Sequence, residues 1–259
     1  MSTVTTDVSL QQAIAPDHDI ARVDEAAALQ WLKQGWDDFR AMPWLSLLYG
    51  ALFAGLCAGL FLLSSGAPWY TIGFLTGLVV IGPFVASGLY AAARDREAGV
   101  RPSIGGSVRL LVQRRTYLAL FSLMLALVMG AWIRLTALLF AFKFNTLSPP
   151  IEAYAALFTS ADGWMTLAFF LGSGLALVAA VFVVSAVAIP LILDKDADFI
   201  RAMRTSYRAV ARNPAAMAIW AALIVSLTFI GVATAFVGLA ILFPILGYAT
   251  WHSYRELVR

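Results

Sequence analysis

The chain has 259 residues, of which 61% are hydrophobic and only 13% charged, about half the charged fraction of an ordinary soluble domain. That composition excludes a soluble globular protein and a disordered one. The net charge of +3 does not point to nucleic acid, because nearly all basic residues cluster beside apolar runs.

Residues 1–22 are polar and acidic, without periodicity, and are expected to form a disordered tail ahead of a single membrane domain over 23–259. This terminus lacks a basic segment followed by an apolar core, so no cleavable signal peptide is expected. Leu29, Leu32, Trp36 and Phe39 then recur at helical spacing, predicting an amphipathic helix that leads into the first apolar run at 44–65. A second run covers 69–93, after the short uncharged link SSGAP. GLCAG at 55–59 and GFLTG at 73–77 are GxxxG patterns that permit close helix approach. Cys57 is the only cysteine, which excludes an intramolecular disulfide and a cysteine-rich metal site.

The third and fourth runs, 117–142 and 164–193, are separated by KFNTLSPPIEAYAALFTSADG, where Ile151, Tyr154 and Phe158 fit a short interfacial helix. Arg134 stands inside the third run. About 19 residues beyond Arg115, it falls some 28 Å along a helix, near the far edge of a 30 Å core. Two readings stay open: a guanidinium snorkelling to the outer headgroups, or one facing the bundle interior as a site for an anionic ligand. The last run, from Ala216 to Trp251, is about 36 residues, or roughly 54 Å as one helix. It is expected to be two spans, 215–231 and 234–252, turning near Ile230 to Thr234.

Basic residues sort to one side. Arg94, Arg96, Arg101, Arg109, Arg114 and Arg115 follow the second run, and Lys195, Arg201, Arg204, Arg208 and Arg212 follow the fourth. The positive-inside rule places both segments, and both termini, in the cytoplasm. Between 195 and 212, Ile200, Met203, Tyr207 and Val210 share one helical face against the four arginines, which are candidate contacts for anionic lipid headgroups or for a protein partner. Pro83, Pro190 and Pro244 are candidate kinks.

Two stretches repeat. GWDDFRAMP at 35–43 matches SYRAVARNP at 206–214, and 74–97 matches 236–257, pairing Pro83 with Pro244 and Arg94 with Arg255. A weaker copy begins at GSVRLLVQRR. The expected architecture is therefore an all-α, polytopic bundle of six spans, built as three units of an amphipathic helix plus a transmembrane hairpin.

Searching this frame for chemistry removes most mechanisms. The chain has only His18 and His252, no carboxylate inside an apolar run, and no GxxxxGK[ST], HExxH or GxSxG. No catalytic, metal or cofactor-binding residue is expected, and the chain is not expected to be an enzyme. The order of motifs, a GW..F...P start, VVIGPFVASGLYAAARDREAG, AWIRL, LILDKDADFIRAMRTSYRAVARNP and FPILGYATWHSYREL, resembles domain of unknown function 2189 from about Val23 to the end. The resemblance implies a bacterial inner-membrane protein without an assigned activity. The expected function is a non-catalytic scaffold or accessory protein of a membrane assembly or envelope process, with the lipid bilayer, a membrane protein or a second copy as partner and no nucleic acid. The alternative is an uncoupled facilitator or lipid-handling permease.

Overall fold

Caps and prolines set the helix boundaries. The computed structural model describes residues 18–65, 85–144 and 159–259. In chain order the helices are α1 (Ala27–Ala41), α2 (Pro43–Ser65), α3 (85–97), α4 (Ile104–Gln113), α5 (Arg115–Phe144), α6 (Ala161–Ser185), α7 (Ala188–Lys195), α8 (Phe199–Arg212), α9 (Pro214–Ala233) and α10 (Leu239–Leu257). Ser103, Ser160 and Asp198 each accept a backbone N–H three residues on, capping α4, α6 and α8. Pro43 and Pro214 sit at the first positions of α2 and α9, where a missing N–H costs nothing. The residues before them, Met42 and Asn213, adopt nearly the same conformation, φ −129° and ψ 53° against φ −131° and ψ 53°.

The described residues contain no strand, only an isolated bridge between Ile20 and Val258. That bridge corrects the tail boundary. Ile20 and Ala21 are buried, and the amide of Ala21 donates to Leu257 O at 2.9 Å, so order begins before residue 22. The tail over 1–17, the span over 69–84 with GFLTG and Pro83, and the loop over 145–158 lie outside the described residues.

Among the described residues, four helical stretches are long and apolar enough to cross a membrane: Pro43–Leu63, Arg115–Leu135, Gly163–Lys195 and Pro214–Ala233. The protein is thus an all-helical bundle with several membrane-spanning candidates. The last apolar run is two helices, as expected, but the turn lies at 234–238 rather than 230–234. Thr234 builds it: its hydroxyl donates to Gly231 O at 2.9 Å and accepts from the amide of Gly238 at 2.9 Å.

The fourth run breaks at Ala186 and Val187, four residues before Pro190 loses its bond to the Ala186 carbonyl. By contrast, Pro244 lies within an uninterrupted α10. It still frees the Ala240 carbonyl, and α2 approaches there through Gly50, where an added Cβ would lie 2.7 Å from the Ala240 carbonyl carbon. Among the described residues, nothing lies within 4 Å of such an atom on the GLCAG glycines, Gly55 and Gly59.

α10 runs antiparallel to α2 over most of its length. Ser46 meets Tyr248 at 2.9 Å, Phe53 stacks on Phe243 at 3.9 Å, and Phe61 contacts Phe236 at 5.6 Å. The core lies at the arginine-rich end, where α1, α3, α7, α9 and α10 meet. Trp31, Leu89, Ile192, Trp220, Tyr248, Trp251 and Tyr254 there are at most 1% exposed.

Candidate functional site

The last two turns of α10 carry Tyr248, Trp251, His252, Tyr254, Arg255 and Glu256, too polar to face lipid and too large to leave unpartnered. Each donor reaches a carboxylate or hydroxyl on a different helix. His252 Nε2 lies 2.8 Å from Asp38 Oδ2 of α1, and the same carboxylate, 3% exposed, is ion-paired with Arg96 of α3. The indole of Trp251 donates to Glu97 of α3 at 3.0 Å, and Arg255 Nε donates to the other oxygen of that carboxylate at 3.0 Å. Tyr254 donates to Asp194 of α7 at 2.7 Å. Arg94 and Arg255 approach that carboxylate at 3.5 and 3.6 Å. Trp31 of α1 donates to Glu256 at 2.6 Å.

The result is a clamp in which Asp38, Glu97 and Asp194 are matched by Arg94, Arg96 and Arg255. Burial, reinforced by the bond to Asp194, pushes the Tyr254 phenol well above its ordinary range, so it remains a donor at neutral pH. Burial opposes the charge of Arg255, but Glu97 and Asp194 outweigh it and its pKa is raised. Hydroxyls at the helix contacts are spent on backbone: Ser107 donates to Gly88 O at 3.3 Å, Ser206 to Val183 O at 2.8 Å, and Ser46 to Met42 O at 2.7 Å. Among the described residues, no group of three His, Cys, Asp or Glu side chains could hold a metal ion. Chemically this is a joint between helices.

The sequence-derived candidates lie elsewhere. Arg134 is exposed on α5, one residue before the end of its candidate span, and the neighbouring Trp132 packs beside Gly174 of α6. On α8, Arg201 is half-buried and Arg204, Arg208 and Arg212 are exposed. Of the apolar face read from the sequence, Met203 and Val210 pack against the core and the other two residues do not. Ile200 and Tyr207 are 56% and 58% exposed, and the buried face is instead Ala202, Thr205, Ser206 and Ala209. Small residues win because they let α8 approach α6 and α7 closely, whereas hydrophobic period cannot say whether an apolar stripe meets protein or lipid. α1 repeats the pattern, burying Ala28, Trp31, Gly35 and Asp38 while Leu29 and Trp36 stay exposed. A Cβ on Gly35 would lie 2.5 Å from Ile245 O.

A cleft of about 300 Å³ at the α8–α9 junction is lined by residues that include Arg22, Asp24, Glu25 and Arg212, two cations against two anions. The clamp residues were not singled out from sequence. The one hint was the repeat, which aligns Arg94 with Arg255; both converge on Asp194.

No curated protein and no solved structure matches the chain. A family model does match over residues 71–194, a shorter stretch than the motifs suggested, and it takes in Pro83, α3, Arg134, Pro190 and Asp194. With its apolar helices, that match makes the protein an integral membrane protein, and the stretch from 71 to 194 matches the family of predicted integral membrane proteins DUF2189.

Proposed function

We propose that the chain is a non-catalytic scaffold or accessory protein of a membrane assembly or envelope process, with six spans and both termini in the cytoplasm of a bacterium. The observation that carries this reading is the closed arginine-rich end. Where a permeation path would need polar, hydrated walls, the described residues present fully buried Leu89, Leu191, Ile192, Tyr248 and Trp251, sealed by the ion clamp.

Three observations support the topology. The Ile20–Val258 bridge joins the two ends of the described chain, which favours an even number of crossings between them. α10 lies beside α2 from Ser46 to Cys57, about 16 Å at 1.5 Å per residue, so the two helices share much of one depth. The basic segments then orient the bundle. Three repeated units are supported by the matching conformations of Met42 and Asn213 and by the aligned small residues Gly35, Ser107 and Ser206. Each of these abuts the last helix of a neighbouring unit, α10, α3 and α6 respectively.

The test is flux. Purified protein in liposomes should neither release trapped small solutes nor flip labelled phospholipid faster than protein-free vesicles. Flux well above that baseline would replace the scaffold reading with the facilitator or lipid-permease alternative.

A further inference from the structure

α8 has three faces. Ala202, Thr205, Ser206 and Ala209 are buried, Ile200 and Tyr207 form an exposed apolar stripe, and Arg204, Arg208 and Arg212 form an exposed basic stripe beside it. The helix contains no Asp or Glu. Its depth is set by the chain: α8 ends at Arg212 and α9, a membrane-span candidate, begins at Pro214. Arg212 and Arg208 therefore lie at the level where hydrocarbon gives way to headgroups. An aromatic at that level, as at Tyr207, favours the same boundary.

We infer that the exposed side of α8 is a binding surface for anionic phospholipid, with the arginines on headgroup phosphates and Ile200 and Tyr207 against the upper acyl chains. Charge complementarity selects this occupant. An anionic headgroup complements an exposed stripe of three arginines better than a zwitterionic one, and a purely apolar partner would strand it out of water. α1 makes a useful contrast, because its apolar stripe, Leu29 and Trp36, neighbours Asp37 as well as Lys33 and Arg40. The preference is thus assigned to α8 and does not depend on whether the protein is a scaffold.

The test uses the full chain in mixed micelles with equal amounts of phosphatidylglycerol and phosphatidylcholine, with co-purified lipid quantified by mass spectrometry. Wild type should enrich phosphatidylglycerol, and R204Q/R208Q/R212Q should lower that ratio by about tenfold. R204K/R208K/R212K should keep the enrichment, since a diffuse headgroup layer asks for charge rather than a fork. R22Q/R40Q, which removes two exposed arginines outside α8, should also keep it. Should the triple variant fail to fold, the wild-type enrichment must still collapse on raising salt, and R204Q alone must lower it. An unchanged ratio in R204Q/R208Q/R212Q would overturn the inference, as would an equal loss in R22Q/R40Q. Displacement of the lipid by millimolar inorganic phosphate would overturn it too, by making the site one for a free anion. Solute flux does not enter any of these readouts, so this inference and the scaffold reading can fail separately.

Discussion

Placing a methyl group on Gly50 separates a glycine chosen by tertiary packing from a glycine that only matches a motif. In Gly50→Ala the new Cβ would sit 2.7 Å from the carbonyl carbon and 3.0 Å from the Cα of Ala240, against the roughly 3.5 Å that carbon atoms prefer. The obstruction is backbone and cannot rotate away. α2 and α10 must separate by about 0.8 Å or more, close to the carbonyl that Pro244 leaves free. Such overpacking costs about 1–3 kcal/mol, offset by up to about 1 kcal/mol of helix propensity, for a net loss of about 1–2 kcal/mol. Gly55→Ala is the internal control: among the described residues nothing lies within 4 Å of its Cβ, so it should be neutral or slightly stabilising. Cys57, buried about two helical turns further along with Ala54 and Leu239, is a native reporter of the same contact. Thermal unfolding in detergent and the rate of maleimide labelling should therefore change together in Gly50→Ala and in neither measurement for Gly55→Ala. Wild-type stability and labelling in Gly50→Ala, with destabilisation in Gly55→Ala, would refute the packing argument.

The clamp gives further outcomes. Asp38→Ala should destabilise the protein by about 1–3 kcal/mol, less than for a fully buried pair because Arg96 is 43% exposed and can rehydrate; Asp37→Ala, on the exposed side, should be silent in the same melt. Because the folded Tyr254 phenol stays protonated above its ordinary range, its contribution is complete below about pH 10 and lost as the unfolded chain ionises above it. Tyr254→Phe should accordingly lose about 1 kcal/mol near neutrality and decline less steeply than wild type between about pH 10 and 12, as read by denaturant titration. Arg134→Lys should retain membrane yield and the cytoplasmic activity of a reporter fused after Arg259, because a point charge still snorkels; loss of membrane yield would remove the outer-edge anchor.

The parts of this fold legible in the sequence are those set by local chemistry. Apolar length located α2, α5, α6 and α9, and excessive length in 216–251 forced a break that Thr234 supplies a few residues late. Proline and caps fixed where the interfacial helices hand over to spans, at Met42 and Asn213. What stayed hidden depends on partners distant in the chain. Asp38 and His252 are 214 positions apart, and nothing around either says that they meet. The buried face of α8 stayed hidden for a related reason: Ile200 and Tyr207 satisfy the hydrophobic period but stay exposed, while alanine and serine face the neighbouring helix. Gly50 stands in no motif and Gly35 merely opens the GW..F...P pattern, and only the backbone opposite them explains why they are glycine.

The claim on which the account turns is that the interior between α3, α7 and α10 is dry and closed. Ala92, Ala188 and Ala249, one on each helix, are fully buried and small enough to become cysteine with little strain. In a Cys57→Ala background, each single cysteine can be exposed in native membranes to a small water-soluble thiol reagent from either side. The account predicts that all three remain unmodified until detergent and denaturant are added. Rapid labelling of any of them in the intact membrane would reveal a water path through the bundle and contradict it.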